Sequence, residues 1–449
     1  MKNNIYTPND FFAEARNEAE VNNLLNNDVY KFMMLDFILA TPKYRWIEVK
    51  RKLKIRSKNI KTAEVIPKDS LIKQLELAKN MPWITEAQAS YLRWMTRPDG
   101  QRLFREETIE FLKNFKFWDY TLWTDENWNY ELEFTWPWEV SMMWEIIWLK
   151  LINSSYLYNY VLKDRLTNIQ FNKIINETLH RLYEDIEIFK SEAWFTFSEF
   201  GTRRAFSTDL QRTVMNILLQ ELPNSCLWTS NVMIASELGQ ANPRGTNAHE
   251  LRMIPTALYD NPEDIISEMY EVDRAWAKHF PWLSILLPDT YGSSFYFKNC
   301  PEDIIKNHNG CRFDSKDPMV AIPEYVNWIL ENKENPQTKI WIPSDGLDAK
   351  TAVEIYKANK DKIWKLTFGI WTNLTNNTKN TYPIEETHGD FGSFSVVIKP
   401  SEVKRPDGTW VSCVKLSDNP TKATWSKDRV ELFKKIFWVD GVEEKEVNV

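Results

Sequence analysis

Lys339-Ile340-Trp341-Ile342-Pro343-Ser344-Asp345-Gly346 is the stretch that decides the fold. A strand-like apolar run stops at Pro343, which cannot donate to a central ladder, and Ser344-Asp345-Gly346 turns the chain. Ala349 to Lys357 then reads as an amphipathic helix. Working outward, the same rhythm recurs from about residue 190. Short apolar runs end at Ser198-Glu199, Thr229-Ser230, Gly245-Thr246, Asp289-Thr290, Asp314-Ser315, Ser344-Asp345 and Thr372-Asn373. The last four are separated by 25, 30 and 28 residues, about the length of a βα unit. Strands alternating with helices imply parallel pairing. Seven polar strand tips favour a barrel with its site on the carboxyl face; an open doubly wound sheet is the alternative.

The flanks read differently. Tyr44 to Arg56 alternates like a strand, and helical stretches follow at Asp69–Lys79, Thr85–Trp94 and Arg105–Phe115. After Asn376 a polar linker runs to Gly392. A hairpin follows, with Ser395–Val403 and Trp410–Leu416 joined by Pro406-Asp407-Gly408. The expected organisation is an N-terminal α+β domain over 1–155, completed by 377–449, around an α/β barrel over 156–376.

Composition narrows the function. A chain of 449 residues, 43% hydrophobic, can bury two sizeable cores. Its net charge of −7 speaks against a general nucleic-acid binder. Cys226, Cys300, Cys311 and Cys413 are scattered without metal-ligand spacing, which fits a reducing cytoplasm. The start of the chain lacks an apolar h-region. The most apolar window, Val140 to Ile152, is interrupted by Glu145 and Lys150 and is too short to span a bilayer, so no membrane partner is expected.

The chemistry-bearing residues fall on strand tips. Gly245-Thr246-Asn247-Ala248-His249-Glu250 places one of only five histidines at a strand-to-helix corner between Arg244 and Arg252. Arg203 and Arg204 follow Glu199-Phe200-Gly201-Thr202, and their planar forks suit phosphate or carboxylate. Arg312-Phe313-Asp314-Ser315-Lys316-Asp317 alternates cation, acid and hydroxyl, as a phosphosugar bound with Mg²⁺ requires. Ser344-Asp345-Gly346 and Gly369-Ile370-Trp371-Thr372-Asn373 occupy the last two βα loops, a common phosphate cradle.

These segments, with Asp28-Val29-Tyr30-Lys31, Thr229-Ser230-Asn231-Val232 and Lys415-Leu416-Ser417-Asp418-Asn419-Pro420, make the chain resemble a nicotinate phosphoribosyltransferase from about residue 25 to 426. The resemblance implies a type II phosphoribosyltransferase-like fold, an irregular (β/α) barrel plus an α+β domain. It implies that nicotinate attacks C1 of phosphoribosyl pyrophosphate, giving nicotinate mononucleotide and pyrophosphate, with ATP hydrolysis coupled through a phosphohistidine at His249. Imidazole suits this role, since one nitrogen can take a phosphoryl group while the other is held. Glu250 would help orient that ring, Tyr30 would stack on nicotinate and Arg312 would meet its carboxylate. Asp289 and Asp314 would serve Mg²⁺ or the ribose hydroxyls. Arg203, Arg204, Thr229, Ser344, Gly369, Trp371 and Thr372 would line the phosphosugar site. The resemblance also admits a homodimer. A nicotinamide- or quinolinate-specific transferase and an inactive ligand-sensing relative are the competing readings.

The chain departs from the pattern at Lys316, where the family has glycine, at Ala205, the third arginine of its FGTRRR, and at Leu251, usually tryptophan. Tryptophan replaces the family's glycine at Trp136, Trp194, Trp228, Trp371 and Trp425. The whole chain holds 21 Trp and 12 Gly, whereas average usage would give about 31 glycines. A codon that means glycine in the source but is written as tryptophan, such as a reassigned UGA, would produce this bias. An indole at Trp228 or Trp371 is then expected to intrude on the site or to splay to solvent.

Overall fold

The computed structural model describes residues 5–57, 60–82, 84–163, 166–344, 346–379, 381, 392–418 and 426–438. Among the described residues twelve strands carry the architecture: β1 (Glu48–Ile55), β2 (Thr121–Thr124), β3 (Tyr130–Pro137), β4 (Phe197–Glu199), β5 (Cys226–Thr229), β6 (Ile285–Leu286), β7 (Gly310–Phe313), β8 (Ile340–Pro343), β9 (Lys365–Leu366), β10 (Phe368–Ile370), β11 (Val396–Lys404) and β12 (Trp410–Ser412). They form three sheets.

The barrel is irregular because its parallel strands fall into two arcs, β10-β4-β5 and β6-β7-β8-β9, with β10 packed beside β8. Helices follow the strands as the sequence predicts; Ala349–Asn359, for example, succeeds β8. One expected element is missing. Residues 241–248 form no strand before His249, which directly caps the helix Glu250–Ala257. Pro243 has no N–H for a ladder, and this segment meets β5 only at Arg244, whose N–H donates to Thr229 O at 3.0 Å and whose Nε donates to Leu227 O at 3.3 Å.

The third sheet is antiparallel, in the order β12-β11-β1-β3-β2. Here the two ends of the chain meet: Val49 lies opposite Val403 and Ile55 opposite Val396. Val49 and Leu53 alternate inward, as the period-2 pattern requires. The helix Trp138–Lys163 runs on from β3, and most of its first twenty residues are buried. Thr167 and Gln170 form a capping box that starts the next helix, Asn168–Lys190. Among the described residues no helix is long and apolar enough to cross a membrane.

Candidate active site

Strand tips and helix starts bring the expected residues to one face. β4 ends at Glu199, and the chain turns through Gly201 into the short helix Thr202–Arg204. A Cβ on Gly201 would sit 2.9 Å from the Trp371 carbonyl oxygen, so only glycine lets these two loops touch. Glu199 is fully buried and accepts hydrogen bonds from the Thr229 hydroxyl, the Gln211 amide and the Gly201 N–H. Burial, only partly offset by these bonds, pushes its carboxyl up to about 6. Thr229 is therefore engaged inside the fold: its oxygen also accepts the Asn231 N–H at 3.0 Å.

Tyr30 stands on the first turn of the helix Val29–Ala40, against Gly245. A Cβ on Gly245 would meet Val29 Cγ1 at 2.8 Å and Tyr30 Cβ at 3.3 Å. Arg203 lies 4.7 Å from the Trp371 ring centre, stacked on it. Gly369 faces Ser344, whose Cβ would lie 3.1 Å from an added Cβ. Thr372 begins the turn of helix after β10. Arg204 donates to the Val396 carbonyl on β11 at 3.1 Å. Arg203, Ser344, Gly369, Trp371 and Thr372 thus occupy adjoining turns after the strands, and Tyr30 stands on a helix start against Gly245.

The second half of the site centres on His249. Its Nδ1 lies 2.9 Å from the Thr290 hydroxyl and its Nε2 2.8 Å from Asp314 Oδ1. Burial lowers the imidazole to about 3 against the pull of Asp314, so the ring is neutral. Nε2–H then donates to Asp314, and Nδ1 accepts from Thr290. Against burial, the Nε2–H bond from His249, with the charges of Lys415 and Arg312, holds the Asp314 carboxyl well below its ordinary range. Asp289 is pushed the other way, by burial and then by neighbouring Asp314. Arg312 donates to Thr246 Oγ1 at 3.0 Å and lies 3.7 Å from Asp314 Oδ2. Asp289 accepts from Ser315 at 2.6 Å, while its other oxygen is buried without a partner.

Glu250 does not orient the histidine. Its carboxylate meets Lys31 Nζ at 3.0 Å and Arg51 at 2.7 Å, and Glu145 completes the cluster 2.6 Å from Lys31. A helix sends neighbouring side chains in different directions, so adjacency to His249 is no guide. The orienting partners are Thr290 and Asp314. Sequence reasoning also missed two lysines from the C-terminal segment. Lys415 Nζ stands 3.7 Å from Asp314 Oδ1. Lys399, on β11, has its ammonium pushed well down by burial and by Lys415. Neither lies at a strand tip of the barrel, so no spacing signal marks it.

The departures resolve separately. Lys316 is tied to Glu324 and donates to Ser293 Oγ at 3.3 Å. Ala205 is buried, and its carbonyl accepts the Asn153 amide. Trp194 is 84% exposed, splayed to solvent. Trp371 stacks on Arg203 with its buried indole N–H unpartnered. Trp136 is core: it is 2% exposed and donates to Asp119 O at 2.9 Å. Trp425 lies outside the described residues.

A parallel α/β barrel that gathers arginines, two carboxylates and a neutral imidazole at its strand tips defines a group-transfer site for anionic substrates. The sequence model of the nicotinate phosphoribosyltransferase (NAPRTase) family matches residues 195–440, and the chain belongs to that family. Solved structures agree in fold. A nicotinate phosphoribosyltransferase from Porphyromonas gingivalis superposes with TM-score 0.78 at 23% identity, covering 93% of this chain and 100% of its own. One from Vibrio cholerae gives 0.81 at 24%, covering 97% and 96%. A putative nicotinate phosphoribosyltransferase from Saccharomyces cerevisiae gives 0.77 at 24%, covering 94% and 99%.

Proposed function

We propose that the chain makes nicotinate mononucleotide and pyrophosphate from nicotinate and phosphoribosyl pyrophosphate, and couples this to ATP hydrolysis through His249. The supporting observation is the setting of the imidazole: Asp314 holds Nε2–H at 2.8 Å in a buried pocket beside Arg312 and Lys415, which leaves the lone pair on Nδ1, steered only by the Thr290 hydroxyl at 2.9 Å. Nδ1 bonds to the γ-phosphorus of ATP as the bond from that phosphorus to the ADP oxygen breaks, Asp314 steadies the positive charge on the ring through Nε2–H, and water later displaces Nδ1 to release phosphate. In the transfer step the pyridine nitrogen bonds to C1 of the ribose as the bond from C1 to the pyrophosphate oxygen breaks. Arg312 meets the nicotinate carboxylate, Tyr30 lies under the ring, and Arg203 with the Ser344 and Gly369–Thr372 loops takes the 5′-phosphate.

Asp289 and Asp314 fit a divalent cation. With His249 they form a group whose ligand atoms lie within 4.8 Å of one another, and Asp289 Oδ1 is a buried oxygen without a partner. Mg²⁺ prefers oxygen ligands, so the two carboxylates would hold it. There it would neutralise charge building on the departing pyrophosphate. The test is incorporation of label from γ-labelled ATP into wild-type protein and His249→Ala, alongside mononucleotide formation. Loss of label with uncoupling of ATP hydrolysis is expected; label persisting in His249→Ala would overturn the assignment.

A further inference from the structure

We infer that residues 46, 128 and 228 are glycine in the native polypeptide, written as tryptophan because the gene uses a codon that its own ribosomes read as glycine. Backbone geometry carries this independently of any resemblance. Twelve described residues have positive φ; six are glycine, and of the remaining six three are Trp46 (62°), Trp128 (59°) and Trp228 (93°). Tryptophan supplies 21 of 449 residues, yet half of these non-glycine positions. Bulky residues are the least suited to this region, and asparagine is the usual substitute for glycine there.

The chain contains its own control. Three five-residue turns share one hydrogen-bond pattern. In Arg97-Pro98-Asp99-Gly100-Gln101 the first N–H donates to the fifth carbonyl at 2.7 Å and the fourth N–H to the first carbonyl at 2.9 Å. Arg405-Pro406-Asp407-Gly408-Thr409 repeats both bonds, at 2.8 and 2.9 Å. Asp125-Glu126-Asn127-Trp128-Asn129, joining β2 to β3, repeats them at 2.9 and 3.2 Å. The fourth position is left-handed in all three, φ 80° at Gly100, 89° at Gly408 and 59° at Trp128. Two of the three carry the residue this turn selects. The third carries an indole that is 57% exposed and so is not held by packing.

The other two positions tell the same story. Trp228 sits at a bulge: Phe197 pairs with Cys226 and Glu199 with Thr229, so β5 has one residue more than β4. A bulge with positive φ is a glycine position. Trp46, 59% exposed, makes the left-handed step between a short helix and β1. By contrast Trp276 and Trp328 each donate their indole N–H to a backbone carbonyl at 2.9 Å and are nearly buried, as packed tryptophans are. At residue 228, beside Thr229, the native strand tip therefore offers bare backbone and open space.

Peptide masses of the full-length protein purified from its source decide the matter. Glycine masses at 46, 128 and 228 with tryptophan retained at 276 and 328 are expected, and the gene should use one codon at the first three and another at the last two. Tryptophan in the native peptides at 46, 128 and 228 would overturn the inference. In the recombinant chain, Trp128→Gly should raise the melting midpoint while Trp276→Gly lowers it; a lower midpoint for Trp128→Gly would count equally against it.

Discussion

Glu250→Gln tests the buried charge cluster that joins the Tyr30 helix to the His249 helix. Lys31 and Arg51 are fully buried, Glu250 is 4% exposed and Glu145 13%. Two cations and two carboxylates cancel, so the wild-type cluster is neutral. Glutamine keeps the shape but leaves one net positive charge away from water. Removing one partner of a buried pair costs about 3–5 kcal/mol, a large share of the roughly 5–15 kcal/mol that holds a typical protein folded. Equilibrium urea unfolding should show that loss, and Arg51→Met placed in the same chain should restore much of it, since removing both charges leaves no orphan. The pH dependence has a definite sign. Burial raises the Glu250 carboxyl, but Arg51 and Lys31 outweigh it and bring the group below its ordinary value. Its stabilisation is therefore complete above the unfolded glutamate value of about 4.3 and is lost as pH falls through the folded value. The advantage of wild type over Glu250→Gln should vanish in acid. An unfolding free energy changed by less than about 1 kcal/mol near neutral pH, or an additive double variant, would refute the cluster's coupling.

Arg312→Ala should weaken nicotinate at least tenfold, as a charge-assisted bond of about 1.5–3 kcal/mol implies, and leave nicotinamide nearly unchanged; equal losses in a competition assay would reassign Arg312 to the phosphosugar. Thr290→Val removes the hydroxyl that fixes His249 Nδ1 and should slow phosphoryl labelling by roughly tenfold or more, as a lost bond of about 1.5 kcal/mol would, while Thr290→Ser retains most of it. Gly245→Ala drives a methyl group into Val29 and Tyr30; it should cost about 1–3 kcal/mol in thermal unfolding and raise KM for nicotinate, and normal KM would place Tyr30 away from the ring.

The barrel was legible because its apolar runs recur at βα spacing, and helix limits such as Lys68–Lys79 and Glu86–Trp94 were read within a residue or two. The helix Trp138–Lys163 was not, since it is apolar on most faces and so lacks the 3.6-residue period that marks an amphipathic helix. The hairpin of β2 and β3 was hidden for a different reason: its turn carries Trp128 where a glycine would have announced it. In the site, residues at strand tips could be found from position alone. Lys399 and Arg51 could not, and the roles of Thr290, Lys31 and Lys415, though these lie in segments already singled out, were not legible, because their partners converge only in three dimensions from elements remote in the chain.

The antiparallel sheet has a consequence for how the molecule is born. Ser401 bonds Lys50 across a separation of 351 residues. At about 5–20 residues per second, β1 leaves the ribosome roughly 20–70 s before β11 exists to cover it. Until then the side of β1 that β11 covers is an open edge, even after β3 has been made to pair with the other side. Its sequence, Glu48-Val49-Lys50-Arg51-Lys52-Leu53-Lys54-Ile55, sets four cations along eight residues, and charged edges resist pairing with other chains. The lysines that look like ordinary surface decoration in the finished protein are also guards for a nascent chain waiting for its own far end.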